Sequence, residues 1–161
     1  MATLLALHVL ISLIAIALGM VTAAGLIGRP PRHRASVAFL WTTILTSVSG
    51  FPLPADRILP SHIVGAISLV LLALAAVAWH RHRLAGGWAR VWVVTALAAF
   101  YLNVFVLVVQ AFLRVPGLHA VAPTQAEPPF AIAQGAVLLF FAVLTVTALR
   151  RGPAALTSPS A

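Results

Sequence analysis

The sequence predicts an all-α protein, a polytopic bundle of transmembrane helices, from three observations. Of its 161 residues, 62% are hydrophobic and only 7% are charged, whereas soluble domains carry about 25% charged residues. The chain contains several apolar stretches of about 20 residues, the length a helix needs to cross the hydrocarbon core. Arginines gather at the ends of these stretches. A chain this apolar cannot cover itself in water, so we expect lipid to be its solvent.

Five stretches have the character of membrane spans. The first has no basic residue before it and is longer than the apolar core of a signal peptide, so we expect it to be retained. The second is short, rich in hydroxyl side chains, and ends where Gly50 and Pro52 should stop a helix. The third leads into a basic run, the fourth contains no charge, and the fifth follows a proline-rich loop and ends at two arginines. The predicted spans are Leu4–Ile27, Ala35–Leu53, His62–Trp79, Val91–Leu113 and Phe130–Leu149, followed by a disordered cytoplasmic tail at residues 152–161.

The arginines predict the orientation. With five spans and the N-terminus outside, only Arg57 and Arg114 lie on the outer side, in agreement with the positive-inside rule. The arginines on the inner side are Arg29, Arg32, Arg34, Arg81, Arg83, Arg90, Arg150 and Arg151. An alternative with four spans omits the second stretch, but it leaves a long hydrophobic segment unplaced.

Composition excludes several classes of function. The chain has no cysteine, which removes disulfides, thiolate metal sites and CxxC redox chemistry. Its net charge of +8 comes from arginines at span ends and not from a basic domain, so we expect no nucleic-acid partner. The sequence has no P-loop, GxGxxG, HExxH or Ser-His-acid pattern. We therefore assign no catalytic residue and favour a non-enzymatic function.

Polar side chains collect in the outer half of the predicted bundle. Asn103 and Gln110 are seven residues apart and lie on nearly the same face of the fourth span. An amide that faced lipid would lack hydrogen-bond partners, so this face should meet other helices or water. We predict a polar pocket that opens outward. Its candidate ligand- or cofactor-binding residues are His8, His62, Asn103, Gln110 and Gln134, and the loop residues over it are Asp56, Arg57, His119 and Glu127.

Three functions remain open for this cluster. It can bind a ligand or a membrane partner, either another subunit or a second copy of the chain. It can belong to a redox component that binds haem b or a quinone, with His8 and His62 as haem-iron ligands, because neutral imidazole is a good iron ligand. It can serve a small transporter, although no span carries the carboxylate that proton-coupled carriers usually need. Alternatively, the histidines only contact water and headgroups, and the amides only join helices.

Two segments also resemble known sequences. They are TSVSGFPLPADRILPSHIVGAISL, residues 46–69, and YLNVFVLVVQAFLRVPGLHAVAPTQAEPPFAIAQ, residues 101–134. Together they resemble a family of small multi-spanning bacterial membrane proteins without an assigned activity. The resemblance implies a bacterial inner-membrane location, with a periplasmic N-terminus and a cytoplasmic C-terminus under the topology above. It implies no activity, cofactor or catalytic residue.

Overall fold

The computed structural model describes residues 2–27, 33–51 and 60–151 and contains no strand within them. The helices are α1 (Ala2–Ile27), α2 (His33–Gly50), α3 (Pro60–Ala76), α4 (Trp88–Arg114), the short α5 (Pro116–Val121) and α6 (Pro128–Arg150). The prediction of an all-α fold is confirmed. The expected tail at residues 152–161 and the predicted loop residues Asp56 and Arg57 lie outside the described residues.

Four helical segments are long and apolar enough to cross a membrane. They are Thr3–Ile27, His62–Arg81, Trp88–Arg114 and Pro128–Arg150. These segments leave many large apolar side chains exposed, among them Val70, Ile132 and Leu139. Exposed apolar side chains in such number are unfavourable in water and ordinary in lipid, so the four helices are compatible with a multi-pass membrane protein. The remaining long helix, α2, carries more hydroxyl side chains and is less apolar than these four.

The helix ends follow from local sequence. Proline fills the first turn of both α5 and α6, where its missing N–H group costs nothing. The predicted proline-rich loop therefore contains a short helix. α3 widens into one π-helical turn at Val77–Arg81. A tight turn follows, in which Arg83 and Leu84 have positive φ angles of 48° and 60°, and the Leu84 N–H group donates to the Ala78 carbonyl at 3.0 Å.

Successive long helices run in opposite directions. A side-chain contact near the ends of each consecutive pair fixes this order. The contacts are His8 with Ser49, Phe51 with His62, Trp79 with Trp92, and Phe112 with Phe130. The starts of α1, α3 and α6 therefore lie together with the ends of α2 and α4. We call this the His8 end of the bundle, and the opposite end the arginine end.

An aromatic layer forms the middle of the bundle. Phe100 of α4 meets Phe39 of α2 edge-on, with ring centroids 6.0 Å apart, and Phe141 of α6 with centroids 5.0 Å apart. Gly19 of α1 lies against the same ring, so close that a Cβ atom there would be 2.6 Å from a Phe100 ring carbon. These four residues form the Phe100 layer. It joins α1, α2, α4 and α6 at one depth.

Candidate functional site

A hydrogen bond between helices lies at the His8 end. His8 Nδ1 of α1 is 2.9 Å from Ser49 Oγ of α2. The Ser49 hydroxyl also lies 3.2 Å from the Thr46 carbonyl. It can therefore donate to that carbonyl and accept from His8, or donate to Nδ1 itself, according to the tautomer of the ring. In either case the contact orients a half-buried imidazole and leaves Nε2 as the ring nitrogen that Ser49 does not engage.

The second predicted histidine lies beside the same helix end. His62 of α3 is half-buried, and its ring centroid is 5.9 Å from that of Phe51, just after α2. His8 approaches the end of α2 from α1, and His62 approaches it from α3. The structure thus places both imidazoles around the last turn of α2, with a hydroxyl and an aromatic ring as their neighbours.

The two amides of α4 occupy different surroundings, although they share a face. Asn103 is half-buried, and its Nδ2 atom is buried without a hydrogen-bond partner. Gln110 is exposed, and its Oε1 accepts a hydrogen bond from Arg114 Nε one turn along the same helix, at 3.2 Å. Gln110 therefore pairs within α4, whereas Asn103 points its donor into the interior.

Two glutamines tie other segments to α4. Gln134 Nε2 of α6 donates to the Phe105 carbonyl at 3.2 Å, while its Oε1 is buried without a partner. Gln125, which the sequence analysis did not select, donates from Nε2 to the Val109 carbonyl at 3.0 Å and has a positive φ of 61°. Its position in a proline-rich loop gave no signal for this contact. Together the two side chains hold α6 and the loop before it against α4.

The loop before α6 is organised around Glu127. One carboxylate oxygen accepts hydrogen bonds from the Thr124 hydroxyl at 2.8 Å and the Thr124 N–H group at 3.2 Å, and the other accepts from the Ala126 N–H group at 3.1 Å. The Thr124 hydroxyl is the main reason that the pKa of Glu127 is lowered from its ordinary value of 4.5. His119, the other predicted loop residue, lies exposed on α5.

This arrangement predicts that Thr124→Val raises the pKa of Glu127. The carboxylate form gains the hydrogen bonds, so Glu127 stabilises the loop above pH 4.5, and this contribution is lost as the pH falls through the lowered pKa. Glu127 is the only glutamate in the chain. A carboxyl-¹³C glutamate label therefore gives one titration curve by NMR. Thr124→Ser, which keeps the hydroxyl, should leave the curve unchanged. An identical pKa in the valine and serine variants would contradict this role of Thr124.

Two sets of hydroxyl side chains in the bundle differ in their hydrogen bonding. One set donates to the carbonyl four residues earlier at 2.8 Å, the usual solution for a hydroxyl in a membrane helix. It contains Thr42, Thr95, Thr145 and Thr147. The other set is buried, and its oxygens have no hydrogen-bond partner. It contains Thr22, Ser36, Thr43, Thr46 and Ser68. The interior of α1, α2 and α3 is therefore more polar than the composition of these helices indicates.

In chemical terms, the candidate site offers imidazole, hydroxyl and amide groups and no carboxylate within the bundle. Across residues 2–27, 33–51 and 60–151, no group of three or more histidine, cysteine or acidic side chains is placed to hold a metal ion. Imidazole, hydroxyl and amide groups can all form hydrogen bonds.

No protein-family model, curated protein or solved structure matches this chain.

Proposed function

We propose that this chain is a five-span protein of a bacterial inner membrane, with its N-terminus outside, and that its outward end binds a ligand or a partner subunit. The direction of the helices supports five spans. α1 and α3 both run antiparallel to α2, and therefore parallel to each other. A chain that leaves α1 at one side of a bilayer must return to the other side before it begins α3. α2 makes that return, and its 18 residues extend about 27 Å.

The two faces of α2 also fit a helix in lipid. Its inward face carries Ser36, Thr43 and Thr46, which are buried. Its outward face carries Trp41, Leu45 and Val48, which are 57%, 52% and 51% exposed. A surface helix of a soluble protein has the opposite pattern, with polar residues outward. Apolar side chains around the outside and hydroxyls on the inside favour a membrane span.

The distribution of charge supports the orientation. Among the described residues, Arg114 is the one arginine at the His8 end. The arginines at the opposite end are Arg34, Arg81, Arg83, Arg90, Arg150 and Arg151. The positive-inside rule then places the arginine end in the cytoplasm and the His8 end outside.

The hydrogen bond between His8 and Ser49 carries the binding proposal. A histidine that only contacts water at the membrane surface needs no partner on a second helix. Here the Ser49 hydroxyl engages Nδ1 at 2.9 Å and orients the ring. Second groups orient ligand-binding histidines in this way. The proposed ligand contact is therefore His8 Nε2, with His62 nearby around the end of α2.

We expect protein extracted directly into polymer-bounded lipid discs to retain a bound small molecule or partner chain that native mass spectrometry detects. His8→Leu should remove it, because leucine keeps the volume and loses both nitrogens. His80→Leu is the matched control, since His80 is exposed near the arginine end. If the wild type carries only lipid, or if both variants retain the same adduct, the outward site does not bind as proposed.

The same contact also favours a second candidate, a redox component that binds haem or a quinone. A haem-ligating histidine uses one ring nitrogen for iron and usually hydrogen-bonds a second group through the other, and Ser49 is such a group beside His8 Nδ1. Haem would supply electron transfer, with His8 and His62 as the candidate holders. An optical spectrum of the same sample distinguishes the candidates. A Soret band that His8→Leu removes supports haem, and a spectrum without one excludes it for this preparation.

A further inference from the structure

Three polar side chains, each with a buried hydrogen-bonding atom, lie at one depth in the middle of the bundle. Ser68 lies eleven residues before Trp79, and Asn103 lies eleven residues after Trp92. The two tryptophan rings are in contact, with centroids 5.1 Å apart, so on antiparallel helices Ser68 and Asn103 reach the same depth. Thr43 of α2 lies at this depth as well. One turn nearer the His8 end, α2 and α3 meet where Gly65 lies beside the Ser47 carbonyl. We call Thr43, Ser68 and Asn103 the interior cluster.

Every member of the interior cluster has an unpartnered atom. Thr43 is 0% exposed and Ser68 is 3% exposed. Thr43 Oγ1, Ser68 Oγ and Asn103 Nδ2 are each buried without a hydrogen bond. A buried group of this kind loses its hydrogen bonds to water and gains none from the protein in return. Other hydroxyls in the bundle bond within their own helices, as Thr42 and Thr95 do with backbone carbonyls of α2 and α4. Three unpaired groups that three helices bring to one depth can share an occupant that bonds to all of them.

The chemistry of the cluster defines this occupant. Asn103 Nδ2 supplies N–H donors, and the hydroxyls can donate or accept, so the occupant must accept at least one hydrogen bond. Every buried polar side chain in the described part of the chain is a serine or a threonine. A charged occupant would therefore lack a buried counter-charge. Buried water typically makes about three hydrogen bonds to groups that are otherwise unsatisfied, which is the number of groups that this cluster offers.

We propose that the interior cluster binds ordered water between α2, α3 and α4. Thr46 lies about one turn nearer the His8 end and is also buried and unpartnered, so the hydrated region extends toward that end. On the opposite side, Phe39 and Phe100 of the Phe100 layer lie one turn away and close it with aromatic rings. This proposal does not depend on ligand binding at His8.

Asn103 permits a direct test, because it is the only asparagine in the chain. Protein labelled with ¹⁵N-asparagine in lipid nanodiscs gives one side-chain NH₂ pair by NMR. We expect this pair to show magnetisation transfer from water and to exchange its protons in D₂O. Thr43→Val should weaken the transfer severalfold, because the water loses one of its three partners. An NH₂ pair that shows no transfer from water and stays protonated in D₂O would overturn the proposal.

Thermal unfolding gives an independent test, because Thr43→Val should shift the unfolding midpoint in opposite directions with and without bound water. If water bridges the cluster, Thr43→Val lowers the midpoint of thermal unfolding by several degrees, since Ser68 and Asn103 lose a shared partner. If the cluster is dry, the same isosteric change removes an unpaired hydroxyl and raises the midpoint. Thr95→Val is the matched control, because Thr95 is equally enclosed but its hydroxyl bonds within α4. A raised midpoint contradicts bound water, and so does a bound neutral solute, seen by native mass spectrometry, that Thr43→Val removes.

Discussion

Gly19→Ala is expected to lower the free energy of unfolding by about 1–3 kcal/mol, the usual cost of overpacking a filled interior. The added Cβ atom would lie 2.6 Å and 2.7 Å from two ring carbons of Phe100. That ring cannot easily move aside, because it is 4% exposed and packs edge-on against Phe39 and Phe141. The backbone of α1 would have to retreat from α4 instead. Unfolding in mixed micelles, followed by tryptophan fluorescence, measures the loss.

Gly135→Ala is the matched control for this substitution. Gly135 is also a helical glycine, but a Cβ atom there would meet nothing within 4 Å. It should leave the stability unchanged or raise it by about 0.5–1 kcal/mol, because alanine favours a helix more than glycine does. Phe100→Leu combined with Gly19→Ala should recover part of the lost stability, because leucine does not fill the position that the added Cβ atom needs. Equal stability of the two alanine variants would mean that α1 and α4 do not touch at Gly19.

Single cysteines at positions 34 and 51 are expected to react from opposite sides of the membrane. Arg34 and Phe51 are exposed at the two ends of α2, so a helix that crosses the bilayer separates them completely. In whole cells, an impermeant thiol reagent should label Phe51→Cys and leave Arg34→Cys unlabelled. The native chain has no cysteine, so no background reaction competes. The expected contrast is nearly all or none.

Membrane disruption provides the control, because both cysteines should then react. The four-span alternative predicts a different result in intact cells, since it leaves residues 34 and 51 on one side. Labelling of both positions, or of neither, would remove α2 from the set of spans. Labelling of Arg34→Cys alone would keep five spans and reverse the orientation.

The positions of the long helices were accessible from the sequence. The fourth span was predicted as Val91–Leu113 and the helix is Trp88–Arg114, and the fifth was predicted as Phe130–Leu149 and the helix is Pro128–Arg150. This accuracy has a physical cause. In lipid, the backbone must satisfy its own hydrogen bonds, so an apolar run forms a helix, and arginines or prolines mark where the run ends.

Two backbone features were not predicted. Pro116 was assigned to a loop, although proline also begins helices, and here it starts α5. The π-helical turn at the end of α3 has no simple sequence pattern. Trp79 within this turn packs against Trp92, and two residues other than glycine with positive φ angles follow it.

The partners of the polar side chains could not be predicted either. Depth along the spans predicted His8 and His62 at the same end of the bundle, but it could not show that both lie beside the end of α2 or select Ser49 as the partner of His8. It also could not show that Gln110 would pair with Arg114 of its own helix. Thr42 and Thr43 are adjacent and chemically identical, yet only Thr42 bonds back to its helix. Such choices depend on which neighbour each rotamer meets, and a single sequence does not contain that information directly.

The division of α2 into a hydroxyl-bearing face and an apolar face has a consequence for biosynthesis. A segment with this many hydroxyls gains little free energy from entering lipid alone, since insertion is decided by the summed cost of its residues. α1 emerges from the ribosome earlier, is strongly apolar and packs along α2. If α2 crosses the membrane, the two helices would enter it as a hairpin joined by the contact between His8 and Ser49. A substitution on the face of α1 that meets α2 would then impair insertion of the hairpin into the membrane, at a stage before the remaining helices have packed.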